Sequence, residues 1–279
     1  MVDILQDTII DSIKLIPFLF ITYLIMELIE HSAGEKTEKL IKKSGKFGPL
    51  LGALLGVVPQ CGFSAVAANF YAGKIITRGT LIAIFLSTSD EMLPILISEG
   101  ASVFLIIKIL LIKIAIGMGI GITIDLLGKK NKENKNSIHS ICENENCNCD
   151  EEGVVKSSIK HTLQIFAYIF VISLVINIII GLIGEERIAN FAINVPIVGT
   201  MLSALVGIIP NCASSIILTE LFLQGVITLG PMIAGLLVNS GIGLLILFKV
   251  NKDKKDNFKT LGILYLVGVT AGIIIDLLV

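Results

Sequence analysis

The sequence VVPQCGFS at residues 57–64 recurs in altered form as IIPNCASS at residues 208–215. Each copy places a proline, an amide and a cysteine in the middle of an apolar stretch. Proline removes a backbone donor and interrupts a helix. Two interruptions of the same kind indicate that one helical segment occurs twice and is broken at the same point in both copies.

A single offset of 151 residues aligns the two copies and extends beyond them. The matched pairs are Gly56 with Gly207, Pro59 with Pro210, Cys61 with Cys212, Ser64 with Ser215, Thr77 with Thr228, Gly79 with Gly230, Ser89 with Ser240 and Asp125 with Asp276. Matches of proline, cysteine, glycine and aspartate at one gapless offset are hard to obtain by accident. We therefore divide the chain into a first membrane repeat at 1–128, a flexible cytoplasmic linker at 129–157 and a second membrane repeat at 158–279.

The composition indicates that both repeats lie in a membrane. Of the 279 residues, 54% are hydrophobic and 16% are charged, and the mean hydropathy is +0.88. This balance is typical of a multi-pass helical protein of the cell membrane, with the lipid bilayer as its partner. No cleavable signal is expected, because acidic residues precede the first apolar run. Without a basic patch interleaved with aromatic residues, no nucleic-acid partner is expected.

The positive charges predict the orientation of the two repeats. Cytoplasmic loops carry an excess of lysine and arginine. In the first repeat these residues collect at 35–47 and 73–79, and in the second at 249–259, whereas the matching loops at 184–197 and 224–231 carry almost none. Opposite bias in matching loops predicts two halves that lie upside down relative to each other, with both termini outside and the linker in the cytoplasm.

The same charges predict that the proline-containing segments are re-entrant. Because loops 35–47 and 73–79 lie on one side, the stretch between them must enter the membrane and return. Each arm has roughly 11–12 residues, or about 17 Å, which is half a bilayer. A single spanning helix kinked at Pro59 is the alternative.

The predicted fold is an all-α polytopic membrane protein with two inverted-topology repeats. Each repeat has three spanning helices plus one re-entrant helical hairpin. The predicted spans are 13–31, 80–98, 102–127, 161–183, 231–248 and 260–279, and the predicted hairpins are 47–73 and 198–224.

Broken helices at membrane depth are typical of substrate sites in inverted-repeat transporters. After each proline a new half-helix begins, and its unpaired N–H groups and positive dipole end point into the centre. Thiols at these positions are soft metal ligands, although a buried cysteine is often only a small apolar residue. The candidate substrate-binding residues of the two hairpins are Gln60, Cys61, Ser64, Asn211, Cys212, Ser215 and Glu220, with Cys61 and Cys212 as metal ligands.

A second central cluster falls in the spans that follow the hairpins. Asp90 and Glu91 lie at the middle of one span, and Asn239 lies at the middle of its counterpart. All three are further candidates for substrate binding. Lys113, at the middle of the next span, predicts an ion pair with Asp90 or Glu91. That pair either only neutralises buried charge or opens to bind a cation or proton, which makes these three residues candidates for ion coupling.

Two aspartates match across the repeat near the ends of predicted spans. Asp125 lies in GITIDLL at 121–127, and Asp276 lies in GIIIDLL at 272–278. Helix ends leave backbone groups without partners. Capping or loop contacts are therefore the expected role of both carboxylates.

The linker contains four candidate metal ligands within eleven residues. They are His139, Cys142, Cys147 and Cys149. Imidazole and thiolate ligands can wrap one metal ion, but the spacing matches no standard zinc module. Metal capture and a plain flexible linker both remain open. No cofactor is expected to be required. The metal ion that is considered is either transported or bound by the linker.

These motifs together resemble a known family. The PQCGFS run at 59–64, the STSDE run at 87–91, the Cys/His linker and two five-helix halves are similar to the ten-helix heavy-metal exporters. Members of that family are labelled arsenic efflux proteins or manganese transporters. The resemblance spans essentially the whole chain and implies export of a metal or metalloid ion, without fixing which one. The second repeat departs from the first by lacking the Asp–Glu pair.

The leading functional prediction is a secondary-active efflux transporter for arsenite, manganese or another divalent cation, driven by proton exchange. A translocator of a small organic anion or lipid headgroup, using the same half-helix ends, is the alternative. An enzyme is not expected, because the three histidines form no HExxH motif and none lies at membrane depth. The sequence contains no ATP-binding loop. The predicted partners are the bilayer and the ion, with a homodimer as a further option.

Overall fold

The computed structural model of the protein describes residues 47–57, 61–89, 92–128, 196–210 and 212–278, together with scattered helical residues within 16–24 and 155–178. Within these ranges the chain is helical and contains no strand. The helices of the first repeat are α1 (Gly48–Gly56), α2 (Cys61–Ala72), α3 (Arg78–Ser87), α4 (Met92–Ser98) and α5 (Val103–Leu127). Those of the second are α6 (Pro196–Ile208), α7 (Cys212–Leu223), α8 (Leu229–Val238), α9 (Gly243–Val250) and α10 (Lys254–Leu278).

The helix boundaries follow the sequence offset. Helices α7, α8, α9 and α10 each begin 151 residues after α2, α3, α4 and α5, and only α9 ends one residue later than the offset gives. The first helix of each repeat differs more, because α6 starts earlier and ends later than α1 under the same offset. The described helices therefore carry the duplication that the residue matches indicate.

Four apolar helical segments are long enough to cross a membrane. They are Arg78–Ser98, Val103–Leu127, Leu229–Val250 and Lys254–Leu278. These segments confirm a helical, multi-pass membrane protein. The predicted spans at 13–31 and 161–183 lie mostly outside the described residues.

The spans predicted at 80–98 and 231–248 are present, and each consists of two helices. In the first repeat, hydroxyl groups end α3. Ser87 Oγ donates to Ala83 O at 2.8 Å, and Thr88 Oγ1 donates to Ile84 O at 2.8 Å. Such bonds back to the preceding turn compete with the helical ladder, and Thr88 leaves the helix with φ −53° and ψ 129°.

The break between α8 and α9 uses different chemistry at the matching position. Asn239 leaves the helix with φ −71° and ψ 106°, and its side-chain Oδ1 accepts the backbone N–H of Gly241 at 2.8 Å. Gly241 has φ +53°, a conformation that glycine adopts without steric cost. Hydropathy does not reveal this break, because the surrounding residues remain apolar.

The lysine-rich turn predicted at 249–259 is also shorter than expected. Only residues 251–253 are non-helical, and α10 begins at Lys254, six residues before the predicted span. Three lysines of that turn therefore lie on the first turns of α10. Their position at one end of the helix keeps them outside an apolar core.

Small residues bring the spanning helices of each repeat into close contact. A Cβ atom added at Gly121 of α5 would lie 2.6 Å from Gly79 O of α3, and one added at Gly272 of α10 would lie 2.7 Å from Gly230 O of α8. Backbone approach of this kind replaces the hydrophobic driving force that is missing between helices in lipid. Each pair runs antiparallel.

The core lies between the two repeats. Helices α3 and α8 are buried over most of their length and pack against each other. Helix α2 packs against α9 and α7 against α4, so α2 and α7 each contact the other repeat. In contrast, α5 and α10 bury few of their side chains, as expected for lipid-facing helices.

Candidate transport site

The two helices that follow the Pro-x-Cys steps begin where the sequence predicts. Helix α2 starts at Cys61 and α7 starts at Cys212. The side chains of both cysteines lie outside the described residues, as do Gln60 and Asn211. The structure therefore defines where both helices start.

Helices α2 and α7 both reach the break between α8 and α9 through their first turns. Asn239 Nδ2 donates to Ser214 Oγ on α7 at 3.1 Å, and Ser214 Oγ donates to Ile209 O at 3.1 Å. On the other side, a Cβ atom added at Gly243 would lie 2.7 Å from Ser64 Cβ on α2. The break is thus held between the first turns of α2 and α7.

Four serines from the two breaks and from the first turns of α2 and α7 are almost completely buried. Ser64, Ser89, Ser215 and Ser240 are 0–3% exposed. Ser240 Oγ has no hydrogen-bond partner among the described residues. A buried hydroxyl without a partner carries a desolvation cost, so Ser240 has an oxygen that a bound ion or water can use.

Lys113 links the two broken spans. It is 1% exposed, and its Nζ donates to Thr88 O at the end of α3 and to Leu236 O in the last turn of α8 at 3.0 Å. The predicted partners of Lys113, Asp90 and Glu91, lie outside the described residues. The structure therefore shows backbone carbonyls from both repeats around this ammonium group, and the predicted ion pair stays a prediction.

Other candidates from the sequence lie apart from the junction or outside the described residues. Glu220 is exposed on α7, about 12 Å along the helix axis from Cys212 at 1.5 Å per residue. The linker ligands His139, Cys142, Cys147 and Cys149 lie outside the described residues. Within the ranges that the structure does describe, no group of three or more His, Cys, Asp or Glu residues is placed to hold a metal ion.

Asp125 and Asp276 make matching contacts at the ends of spans, which confirms their expected role. Asp125 accepts Thr77 Oγ1 at 2.6 Å and the Gly79 N–H at 2.9 Å. Asp276 accepts Thr228 Oγ1 at 2.7 Å and the Gly230 N–H at 3.1 Å. Each carboxylate binds the free N–H end of the antiparallel helix beside it.

A polar cluster without a counterpart joins the repeats at one end. Asp256 pairs with Arg78 and accepts Tyr71 Oη at 2.6 Å and Asn251 Nδ2 at 3.2 Å. Asn257 accepts Asn251 Nδ2 at 2.7 Å. We call these five residues the end cluster. The positions that match them under the repeat offset are Gly100, Leu105, Ile106, Phe222 and Leu229.

Ser214, which joins α7 to the break, is not among the site residues that the sequence predicts. It sits beside Ser215, the serine that matches across the repeat, and its own counterpart is Phe63. Repeat matching therefore favoured the neighbouring serine. The only available signal was a second hydroxyl in the first turn of a half-helix, which is a weak one.

Fold and site together define a polytopic membrane protein whose four described spans include two that are broken at their centres. Residues 1–199 match the family model described as "Putative, 10TM heavy-metal exporter". Since the match covers more than half of the chain, the protein belongs to this family. The matched region includes the first repeat, the linker and the beginning of the second repeat. No curated protein and no solved structure matches the chain.

Proposed function

We propose that the protein is a secondary-active transporter that exports a heavy-metal or metalloid ion through a site between its two Pro-x-Cys breaks. The observation that carries this proposal is the junction itself. The helices that begin at Cys61 and Cys212 both contact the break between α8 and α9 through their first turns. Half-helix ends and irregular backbone at membrane depth are characteristic of ion and substrate sites.

The register of α1 supports a re-entrant hairpin. A Cβ atom added at Gly48 would meet Thr80 near the start of α3, and one added at Gly56 would meet Ser87 at its end, so α1 runs parallel to α3. Only residues 73–77 connect α2 to the start of α3. Helix α2 must therefore return to the side from which α1 enters. A single kinked helix over 47–73 would put these ends on opposite sides.

Contacts between the repeats support the inverted topology. Gly243, at the start of α9, lies beside Phe85 near the end of α3. Arg78, at the start of α3, pairs with Asp256, just after the end of α9. Since α9 runs opposite to α3 and completes the span that matches α3 and α4, these contacts support matched spans that run in opposite directions. We assign the end cluster and the linker to the cytoplasmic side, because the lysine-rich turns lie at that end.

The substrate class follows from the candidate ligands. Thiolates at Cys61 and Cys212 favour a soft ion such as arsenite, zinc or cadmium, whereas carboxylates and amides favour a harder ion such as manganese. Ser64, Ser215 and Ser240 add buried oxygen atoms, which either kind of ion can use. We propose coupling to protons through Asp90 and Glu91, with Lys113 beside them.

Alternating access requires the contacts between the repeats to rearrange. The end cluster closes the cytoplasmic end by joining α2 and α3 of one repeat to α10 of the other. At the opposite end the matching residues are apolar or glycine, and no matching ion pair occurs among the described residues. We propose that the end cluster stabilises the state that is closed to the cytoplasm.

The proposal is tested by growth of a metal-sensitive host that expresses the protein, in graded arsenite, manganese, zinc and cadmium. The wild type is expected to raise resistance to at least one of them. The double variant Cys61→Ala, Cys212→Ala should abolish resistance to a soft ion. A variant with serine at all three linker cysteines, which are themselves candidate metal ligands, separates the contribution of the linker thiols from that of Cys61 and Cys212. Full resistance in the double variant would remove the thiol site from the proposal.

Coupling is tested separately in inside-out vesicles. Addition of the exported ion should release protons from acid-loaded wild-type vesicles. The Asp90→Asn variant should lose this proton release, and Glu220→Gln, which changes an exposed acid, should retain it. Proton release that survives in Asp90→Asn would assign the coupling elsewhere.

A further inference from the structure

Two helix C-termini, one from each repeat, meet at a single ammonium group. Lys113 Nζ donates to the carbonyl of Thr88, the C-terminal cap of α3, and to the carbonyl of Leu236, two residues before the end of α8. The side chain is fully buried at the middle of α5. The last four carbonyls of a helix have no partner within it, so these oxygens need a donor or a cation.

Helix C-termini also carry the negative end of the helix dipole. Carbonyl oxygens at such ends coordinate Na⁺ in transporters with discontinuous helices. An ammonium ion and K⁺ have similar sizes and take similar oxygen ligands. The surroundings of Lys113 Nζ therefore have the chemistry of an alkali-cation site.

The repeat shows that this feature is specific to one half. The position that matches Lys113 is Leu264, which is fully buried among apolar residues. An apolar side chain therefore fills the matching position in the second repeat, so helix packing at this point of the span does not require a charge. The lysine is present where carbonyls of two broken spans converge.

We propose that the Lys113 ammonium is a built-in cation in an alkali-cation site formed by the carbonyl ends of α3 and α8. Because this ammonium group is covalently attached to the chain, the protein does not require free Na⁺ or K⁺ at the site. Shortening the side chain leaves the site empty, and a free alkali cation then enters it. The proposal rests on the proposed function only in that the two broken spans belong to the transport pathway. Lys113 acts here as a positioning residue, because it holds the two breaks together.

The test is the thermal unfolding of purified protein in detergent, in choline, Li⁺, Na⁺ or K⁺ chloride at constant ionic strength. In choline, Lys113→Ala is expected to unfold several degrees below the wild type. Na⁺ or K⁺ should restore at least half of that loss in a saturable manner. Lys113→Arg should retain most of the stability in choline. The wild type and Lys108→Ala, a matched control on the same helix, should respond equally to all four salts.

Two results would overturn the proposal. One is a Lys113→Ala protein whose stability is the same in choline as in alkali chlorides. The other, which needs no folded variant, is a wild-type protein that itself requires Na⁺ or K⁺ for stability. If Lys113→Ala does not fold, Lys113→Met retains the apolar stem and is subjected to the same comparison. Because these readouts use no heavy metal, failure of metal export in the growth assay leaves them unaffected.

Discussion

Neutralising Asp256 should open the end of the protein that we propose to be cytoplasmic. Asp256 forms an ion pair with Arg78 and accepts a hydrogen bond from Tyr71, and its side chain is 10% exposed. Hydrogen bonds to charged groups contribute about 1.5–3 kcal/mol each when buried. Since the Arg78 side chain is 35% exposed, solvent weakens its share. We therefore expect Asp256→Asn to destabilise the closed state by about 2 kcal/mol.

That energy acts on the closed state alone if the open state lacks these contacts. A loss of about 2 kcal/mol changes the equilibrium by roughly 30-fold, because each 1.4 kcal/mol is a factor of ten. The assay is the rate at which an impermeant maleimide labels Cys61 and Cys212 from the cytoplasmic face, in a protein whose linker cysteines are serine. While the open state is rare, the labelling rate follows its population.

Asp253→Asn is the matched control, because it removes a carboxylate from the same turn. Asp253 is exposed and caps α10 by accepting the Asp256 N–H at 3.2 Å, a role that asparagine fills equally well. Arg78→Gln should raise labelling as Asp256→Asn does, and the double variant should gain less than the product of the two effects. Equal labelling of Asp256→Asn and Asp253→Asn would refute the assignment of the end cluster as a closure.

Three further predictions concern packing and the breaks. Gly121→Ala should lower the free energy of unfolding by about 1–3 kcal/mol through overpacking against α3. Gly119→Ala is the control and should leave it unchanged, because the space around its added Cβ is open. Equal melting temperatures of the two variants would contradict the close approach of α5 to α3. Asp125→Ala should lower the free energy of unfolding by about 1–3 kcal/mol, because the Thr77 hydroxyl and the Gly79 N–H lose their acceptor. An unchanged melting curve would show that this carboxylate does not stabilise the fold. Asn239→Ala should reduce both stability and efflux, because it leaves the Gly241 N–H without its acceptor, and wild-type efflux would count against this role of the break.

The residue types at the Pro-x-Cys steps were sufficient to predict where α2 and α7 begin. Proline lacks the backbone N–H that a continuous helix needs, so its effect is local and can be read from the sequence. The matched aspartates were predictable for a similar reason, since a carboxylate at the end of a span needs a donor and helix N-termini supply one. The apolar composition likewise determined the helical membrane class before any contact was known.

The breaks at the centres of two spans could not be predicted in the same way. One depends on Ser87 and Thr88 bonding back to their own helix, the other on Asn239 and a left-handed Gly241, and these residues also occur inside intact helices. Tertiary packing alone decides whether these residues keep the helical hydrogen bonds or replace them with side-chain hydrogen bonds that end the helix.

The amino-acid sequence by itself determined the duplication, the membrane class and the points where proline stops a helix, because these depend on composition and on local backbone chemistry. The tertiary structure alone decided which groups meet across the repeats. Lys113 with Leu236, Tyr71 with Asp256 and Arg78 with Asp256 each join residues more than 100 positions apart. Such pairings follow from how the two halves pack together, and the sequence of either half contains no record of that.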